Sequence, residues 1–334
     1  MFSSLPNIRY LTAFTGSEAV FLLSPESGCF FTDSRYTTQA GQEVSGFPVR
    51  EFRSKAESVR DWANAVGCRR LCFEPDNLTW GAITVLQKVL PDVEFVPAGD
   101  GLELLRSCKE PAELESLSRV AGIASAAFLS LLPAVAPGVT ERSLALQLEY
   151  AMRERGADDR SFDFIVASGE RGALPHGRAS DKVLQQGELV TFDFGAVLGG
   201  YCSDETVTLC LGTPDQRQKE VYELVREAHD LAVAAVRPGI PLRRVDEIAR
   251  QHIDSNGYGS YFGHGLGHGV GIEIHESPVV SPRSEAVAEE GMVFTIEPGI
   301  YIPGWGGVRI EDTVAVTAQG CRLLTSVTKE LITV

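Results

Sequence analysis

The chain has 334 residues, 44% of them apolar, which is long for one core and comfortable for two. Its formal net charge of −15 argues against a nucleic-acid-binding surface and against an anionic membrane as partner. The first residues lack the basic and apolar regions of a secretory leader, no apolar stretch reaches the roughly 20 residues that span a bilayer, and the seven cysteines are irregularly spaced, so a cytoplasmic protein with reduced thiols is expected.

Residues 1 to about 107 read as alternating strands and helices. Ala19–Leu23 and Gly28–Thr32 are short apolar runs split by a hairpin signal around Pro25. Segments 55–67 and 78–90 have helical spacing, and 71–73 and 93–96 read as strands. This predicts a small α/β domain over 1–107 without a catalytic cluster. Pro111, in the first turn of a helix running to about Leu132, opens a second domain, 108–334. Helices are expected over about 140–156, 215–236 and 241–256, the first opening at Thr140. Strand-like segments cover 188–211, 271–276, 292–302, 307–317 and 321–325. Helices mixed with antiparallel-looking strands make this domain α+β.

Three of the six histidines lie in one run, His264-Gly-Leu-Gly-His268-Gly-Val-Gly-Ile-Glu-Ile-His275. Histidine ligates metals and carries protons near neutral pH, and interleaved glycines let the backbone bend closely around a bound object. Position 265 is glycine, so HExxH is not matched, and the glycines disfavour the helix of a single-zinc protease. Upstream, Gly199-Gly200 predicts a hairpin turn. Alternation puts Thr191, Asp193 and Gly195 on one face and Phe192 and Phe194 on the other, and it brings Asp204 within reach of Asp193. Two further acids stand in apolar, strand-like settings: Glu297, and Glu311 on the same strand face as Arg309. Close buried carboxylates repel unless a cation lies between them. Four carboxylates with His268 suit two divalent ions, Mn²⁺ or Co²⁺ ahead of a thiolate-seeking metal, leaving a bridging hydroxide as nucleophile. Any one of these acids alone is better explained as an ion-pair or turn residue, and His268 alone as a core histidine. His229 and His252, on polar helices, read as structural. The metal reading rests on the five residues occurring together in one domain.

These blocks resemble the pita-bread metallopeptidases of the M24 type. The matching segments are Ile165-Val-Ala-Ser-Gly169 with Leu174-Pro-His176, Thr191-Phe-Asp-Phe-Gly195, Tyr201-Cys-Ser-Asp204, His264-Gly-Leu-Gly-His268 with His275-Glu276, Phe294-Thr-Ile-Glu-Pro-Gly299 and Val308-Arg-Ile-Glu-Asp312. Tyr10-Leu-Thr and Thr32-Asp-Ser-Arg-Tyr36 are similar to the creatinase-type N-terminal domain, which points to the Xaa-Pro branch, prolidase and aminopeptidase P. The resemblance implies a pita-bread catalytic domain behind the small α/β domain. It implies that Asp193 chelates one metal, that Asp204 and Glu311 bridge both, and that His268 and Glu297 complete the other site. His176, His264 and His275 would contact substrate or support the ligands, and Arg309 would support the same shell. Two divalent ions per subunit are implied, Mn²⁺ favoured and Co²⁺, Zn²⁺ or Fe²⁺ open, together with a homodimer. The sequence departs from the family at Arg171, where asparagine is common, and at Val207, where arginine is usual.

The expected reaction is hydrolysis of the bond between an N-terminal residue and proline. That bond's nitrogen is tertiary and has no N–H. Here His264 would help seat the pyrrolidine ring, His275 or His176 would donate to the developing oxyanion, and Glu297 would relay the proton. The compact chain favours an Xaa-Pro dipeptidase; an aminopeptidase P acting on longer peptides is the alternative. A dipeptidase must bind a free carboxylate beside the proline, and Arg35, Arg53 and Arg171 are candidates. A metal-free creatinase-like enzyme and a non-catalytic binding module fit less well, because all five ligand positions are filled.

Overall fold

In the computed structural model, which describes residues 1–334, the apolar runs Ala19–Leu23 and Gly28–Thr32 pair antiparallel. Val49–Glu51 joins them in parallel. Phe14, Phe21 and Phe30 are fully buried among these elements. They belong to the first of two units, Met1–Glu103, the second being Leu104–Val334. A parallel strand pair, Arg70–Phe73 with Glu94–Pro97, and the helices Lys55–Ala65 and Trp80–Val89 complete this α/β unit. The short helices Leu5–Thr12 and Thr37–Glu43 add to the elements read from the sequence; Pro6 sits in the opening turn of the first.

In the second unit, two helix pairs each cover a group of strands. Pro111–Leu131 and Glu141–Glu154 share a core with Ile165–Ser168, Leu189–Phe194 and Glu205–Cys210. Phe128 from the first helix is fully buried, stacked on Phe194 at 4.9 Å and edge-on to Phe192 at 5.4 Å. Burying a ring of this kind contributes roughly 1.5–3 kcal/mol. Gln216–Ala235 and Leu242–Ser255 share the other core with Val293–Ile296, Gly299–Ile302, Gly306–Arg309 and Asp312–Thr317. The helix starts follow sequence rules: the Thr140 hydroxyl accepts from the Ser143 N–H, and Asp215 and Gln218 cap each other reciprocally.

The first strand group forms a four-stranded sheet in the order Ile332–Thr333, Glu205–Cys210, Leu189–Phe194, Ile165–Ser168. Of the second group, Val293–Ile296 and Asp312–Thr317 lie in a five-stranded sheet in the order Glu276–Val280, Gly267–Gly269, Val293–Ile296, Asp312–Thr317, Gly320–Leu323, and Gly299–Ile302 pairs antiparallel with Gly306–Arg309 in a two-stranded sheet. The unit is α+β, as expected.

Two expectations are corrected. Segment 271–276 is not a strand: residues 271–275 are bends, and Glu276–Val280 turns back to pair antiparallel with Gly267–Gly269. The Glu276 carboxylate fills the space where a side chain on Gly271 would stand, a Cβ there meeting Glu276 Oε1 at 2.2 Å. Secondly, the helix across 111–134 is long and apolar enough to cross a membrane by length and composition. Its Leu117, Val120, Ala124, Ala127 and Phe128 are buried in the protein core, so the apolar stretch is accounted for by packing.

Candidate active site

The first acids come from one hairpin. Leu198 pairs with Tyr201 across Gly199 and Gly200, whose φ values of +56° and +82° are those of a turn with both central residues left-handed. The same register runs on to pair Asp193 with Thr206. Asp193 faces away from Phe192 and Phe194, which are buried against Phe128. Between the acids the chain passes Gly195, where a Cβ would lie 1.9 Å from the Ser203 carbonyl oxygen. Only glycine fits that approach.

The other groups converge from the second strand group. His268 is central in the short strand Gly267–Gly269, Glu297 directly follows Val293–Ile296, and Arg309 ends Gly306–Arg309. Glu311 lies two residues on, and its N–H donates to the Thr206 carbonyl at 3.2 Å, tying it to the first hairpin. Oxygens of Asp193, Asp204 and Glu311 all lie within 4.8 Å of one another. His268 Nε2 stands 3.6 Å from Asp204 Oδ2 and 3.4 Å from Glu297 Oε1. Its Nδ1 meets the Gly269 carbonyl at 3.2 Å. A carbonyl only accepts, so Nδ1 carries the proton and the Nε2 lone pair faces the acids. Asp193, Asp204, His268, Glu297, Glu311, His176, His264, His275 and Arg309 all line one cavity of about 290 Å³.

The electrostatics suit a cation. Burial holds the Asp204 carboxyl well above its ordinary range, and Glu311, Asp193 and Glu297 add to it. Burial does the same to Glu311, with Glu297 and Asp193 adding. Burial pushes Glu297 up to about 7. The only guanidinium against these four acids is Arg309, which donates to Asp193 Oδ2 at 2.5 Å. Asp193 Oδ1 and Asp204 Oδ1 are buried and accept no hydrogen bond. Buried carboxylate oxygens without donors, packed with like charges, are suited to divalent ions. Burial lowers His268 to about 4, so its imidazole is neutral at pH 7, the form that ligates a metal. The residues therefore fit the ions expected from the sequence.

The remaining site residues divide. His176 and His275 are exposed at the cavity rim, whereas His264 is half-buried. Burial lowers His264 to about 4, and its Nε2 meets the Tyr301 hydroxyl at 2.9 Å. Arg35 lies exposed in the first unit, paired with Asp33 at 2.7 Å. Arg53 is likewise exposed in that unit. Arg171 is engaged already, with buried Glu141 at 3.0 Å and with the Arg178 carbonyl at 2.6 Å. Val207 is buried in the core of the first strand group.

Several supporting groups escaped the sequence reading. Thr206 Oγ1 donates to Glu311 Oε2 at 2.6 Å, and Thr295 Oγ1 donates to Glu297 Oε1 at 3.1 Å. The Tyr301 hydroxyl accepts from Arg309 Nη1 at 3.0 Å. Buried Arg106 and Lys109 hold Glu276 at 2.5 and 2.7 Å, anchoring the end of the turn that carries His275. Strand alternation places Thr206 on the face of Asp204, and that signal was available.

Known proteins resemble this chain in sequence and in fold. Residues 115–318 match the model of metallopeptidase family M24, and residues 1–108 that of the creatinase/prolidase N-terminal domain. An Xaa-Pro dipeptidase of Pyrococcus furiosus is 48% identical over 328 residues, 98% of this chain and 92% of that protein. The structure of an Xaa-Pro dipeptidase from Bacillus anthracis superposes with a TM-score of 0.97 at 43% identity, covering 100% of this chain and 94% of that one. An X-Pro aminopeptidase from Thermotoga maritima superposes with a TM-score of 0.93 at 37% identity, covering 99% and 94%. With both of its domains matched and its acids and imidazoles gathered in one cavity, the chain belongs to metallopeptidase family M24.

Proposed function

We propose that this protein is a dimetal hydrolase that cleaves the bond between an N-terminal residue and proline, acting on Xaa-Pro dipeptides in preference to longer peptides. The observation that carries the reading is the clustering of Asp193, Asp204 and Glu311 with two unpartnered buried oxygens. Asp193, Asp204, His268, Glu297 and Glu311 would hold two divalent ions, Mn²⁺ favoured. Two such ions, when bound, acidify water toward neutral pH and polarise a carbonyl. The chain's own groups would do the rest. Glu297 takes the proton of the attacking water and hands it to the leaving nitrogen, which has no N–H of its own in an Xaa-Pro bond. His275 and His176, both at the rim, donate to the oxygen on which negative charge develops. His264 presents a neutral ring to the pyrrolidine.

The dipeptide preference draws support from the relatives named Xaa-Pro dipeptidase. The X-Pro aminopeptidase relative supports the second reading, in which longer peptides are cleaved. The test is turnover of Ala-Pro against Ala-Pro-Ala by protein reconstituted with Mn²⁺, Co²⁺ or Zn²⁺. Faster cleavage of Ala-Pro is expected, greatest with Mn²⁺. Faster cleavage of Ala-Pro-Ala overturns the dipeptidase assignment, and equal cleavage of Ala-Ala overturns the proline specificity.

A further inference from the structure

The helix Leu242–Ser255 lies outside the cavity, yet one ion pair on it grips the segment that carries His264. Asp246 is 1% exposed, and Arg250 one turn later is 28% exposed. Arg250 Nε and Nη2 donate to the two Asp246 oxygens, each at 2.8 Å. The same guanidinium donates from Nη1 to the Phe262 carbonyl at 2.9 Å and from Nη2 to the His264 carbonyl at 2.7 Å. Asp246 Oδ1 also accepts the Leu266 N–H at 3.0 Å. Arg250 lies over the Phe262 ring at 4.2 Å, and that ring meets the His264 ring edge-on at 5.1 Å.

Residues 262–266 have no regular secondary structure, and glycines flank His264 on both sides. Such a segment has little intrinsic preference for one conformation. Three of its backbone groups end on this one pair. On its other side the Leu266 carbonyl accepts the Glu297 N–H at 2.8 Å. Within the segment the His264 Nδ1 meets the Gly265 carbonyl at 2.8 Å, which leaves Nε2 to accept from Tyr301. Both ring nitrogens are therefore taken, and His264 can serve a ligand only through the position of its ring.

We infer that Asp246 and Arg250 are positioning residues that set the His264 ring against the substrate. This rests on the proposed Xaa-Pro reading. Arg is required rather than Lys, because four donations in fixed directions need a planar fork. The pair touches neither the metal ligands nor the reacting atoms, so it acts on binding more than on turnover.

Steady-state kinetics on Ala-Pro with R250M, R250K, H264A and the R250M/H264A double variant would test it, alongside hydrogen exchange over residues 262–266. R250M and R250K should each raise KM about ten-fold, with kcat within about three-fold of the parent. In the H264A background R250M should add nothing further, because its effect passes through that ring. Additive losses, or a fall in kcat at unchanged KM, would overturn the inference. The exchange arm stands without any activity: faster exchange confined to 262–266 in R250M supports the restraint, and unchanged exchange there refutes it. If the parent protein turns over no Xaa-Pro substrate, the function assignment fails while the exchange arm still decides the restraint.

Discussion

The two halves of the second unit supply the site in different ways. The first half gives Asp193 and Asp204 from a single hairpin, closed by Gly199 and Gly200. The second half gives Glu297 and Glu311 from a hairpin as well, Ile296 pairing with Asp312 and Gly299 with Arg309, and adds His268 from a third strand that pairs with the hairpin's first arm. A hairpin can bring its acids together as soon as its turn forms, whereas the second set is complete only when the strand Gly267–Gly269 has docked on its hairpin. The two sets then face each other across the cavity, joined by the Thr206–Glu311 and Arg309–Asp193 contacts. If both halves hold the same ions, removing one acid from either should have the same consequence. D204N and E311Q are each expected to lower turnover by at least about 10³-fold, beyond the 10–100-fold typical of groups that only support a ligand. Both should also raise the melting temperature of the metal-free protein by a few degrees, since each removes a buried charge among like charges. Calorimetry with and without Mn²⁺ reads both effects. A large loss from one half alone would break the symmetry.

Both halves use a glycine to bring two chains together beside the ligands. A Cβ on Gly195 would lie 1.9 Å from the Ser203 carbonyl oxygen, and one on Gly267 would lie 2.0 Å from that of Thr295. Forcing a methyl into either place should cost about 1–3 kcal/mol or more. At roughly 2–4 °C per kcal/mol, thermal melts should show Gly195→Ala and Gly267→Ala dropping by similar amounts. Metal affinity should separate them. Gly267 presses on Thr295, which contacts both the His268 N–H and Glu297, so titration calorimetry should find Gly267→Ala weaker for Mn²⁺.

The metal-free protein should also carry a pH signature of the crowded acids. Burial holds Glu297 up to about 7 against an ordinary 4.5. Below 4.5 the carboxyl is protonated both folded and unfolded, and folding carries no penalty from it. As pH rises toward 7 the unfolded chain releases its proton first, so folded stability falls across that window and then levels. Raised Asp204 and Glu311 act in the same direction. The melting temperature of chelator-treated protein should therefore decline from about pH 4.5 to about 7, and the gain on adding Mn²⁺ should grow over the same range. A flat profile would mean that the acids are relieved without an ion.

The contrast between the halves also explains what was legible in the sequence. Asp193 and Asp204 could be read because a two-residue turn and period-two alternation are local rules. Glu297, Glu311 and His268 could be grouped with them as acids and an imidazole in apolar settings of one domain, but which ion each would serve, and that His176 and His264 belong to the same site, followed only from the resemblance to a family. The misread segment 271–276 shows why. Ile272, Glu273 and Ile274 alternate as a strand would, yet the chain there must turn so that Glu276–Val280 can return beside Gly267–Gly269. Alternation describes a strand and cannot report which partner it needs. Tyr301, Asp246 and Arg250 were invisible for the same reason: each acts through a contact set by the tertiary fold.

The smallest expected effect is the sharpest probe of how the halves are joined. Thr206 Oγ1 donates to Glu311 Oε2 at 2.6 Å and accepts from Arg309 Nε at 3.1 Å, so one hydroxyl of the first half serves two groups of the second. Thr295 does comparable work within the second half alone, donating to Glu297 Oε1 at 3.1 Å. Valine keeps the shape of threonine and removes only the hydroxyl. A hydrogen bond to a charged group contributes about 1.5–3 kcal/mol, and the shorter, fully buried Thr206 bond belongs at the upper end. Thr206→Val should lower kcat/KM about ten-fold and Thr295→Val about three-fold, on the low side of the usual loss for a group that supports a ligand. The larger loss for Thr206 follows if the register between the halves limits the site. The reverse order, measured on the same substrate and metal, would mean that the second half positions its acids by itself and that the hairpin merely docks against them.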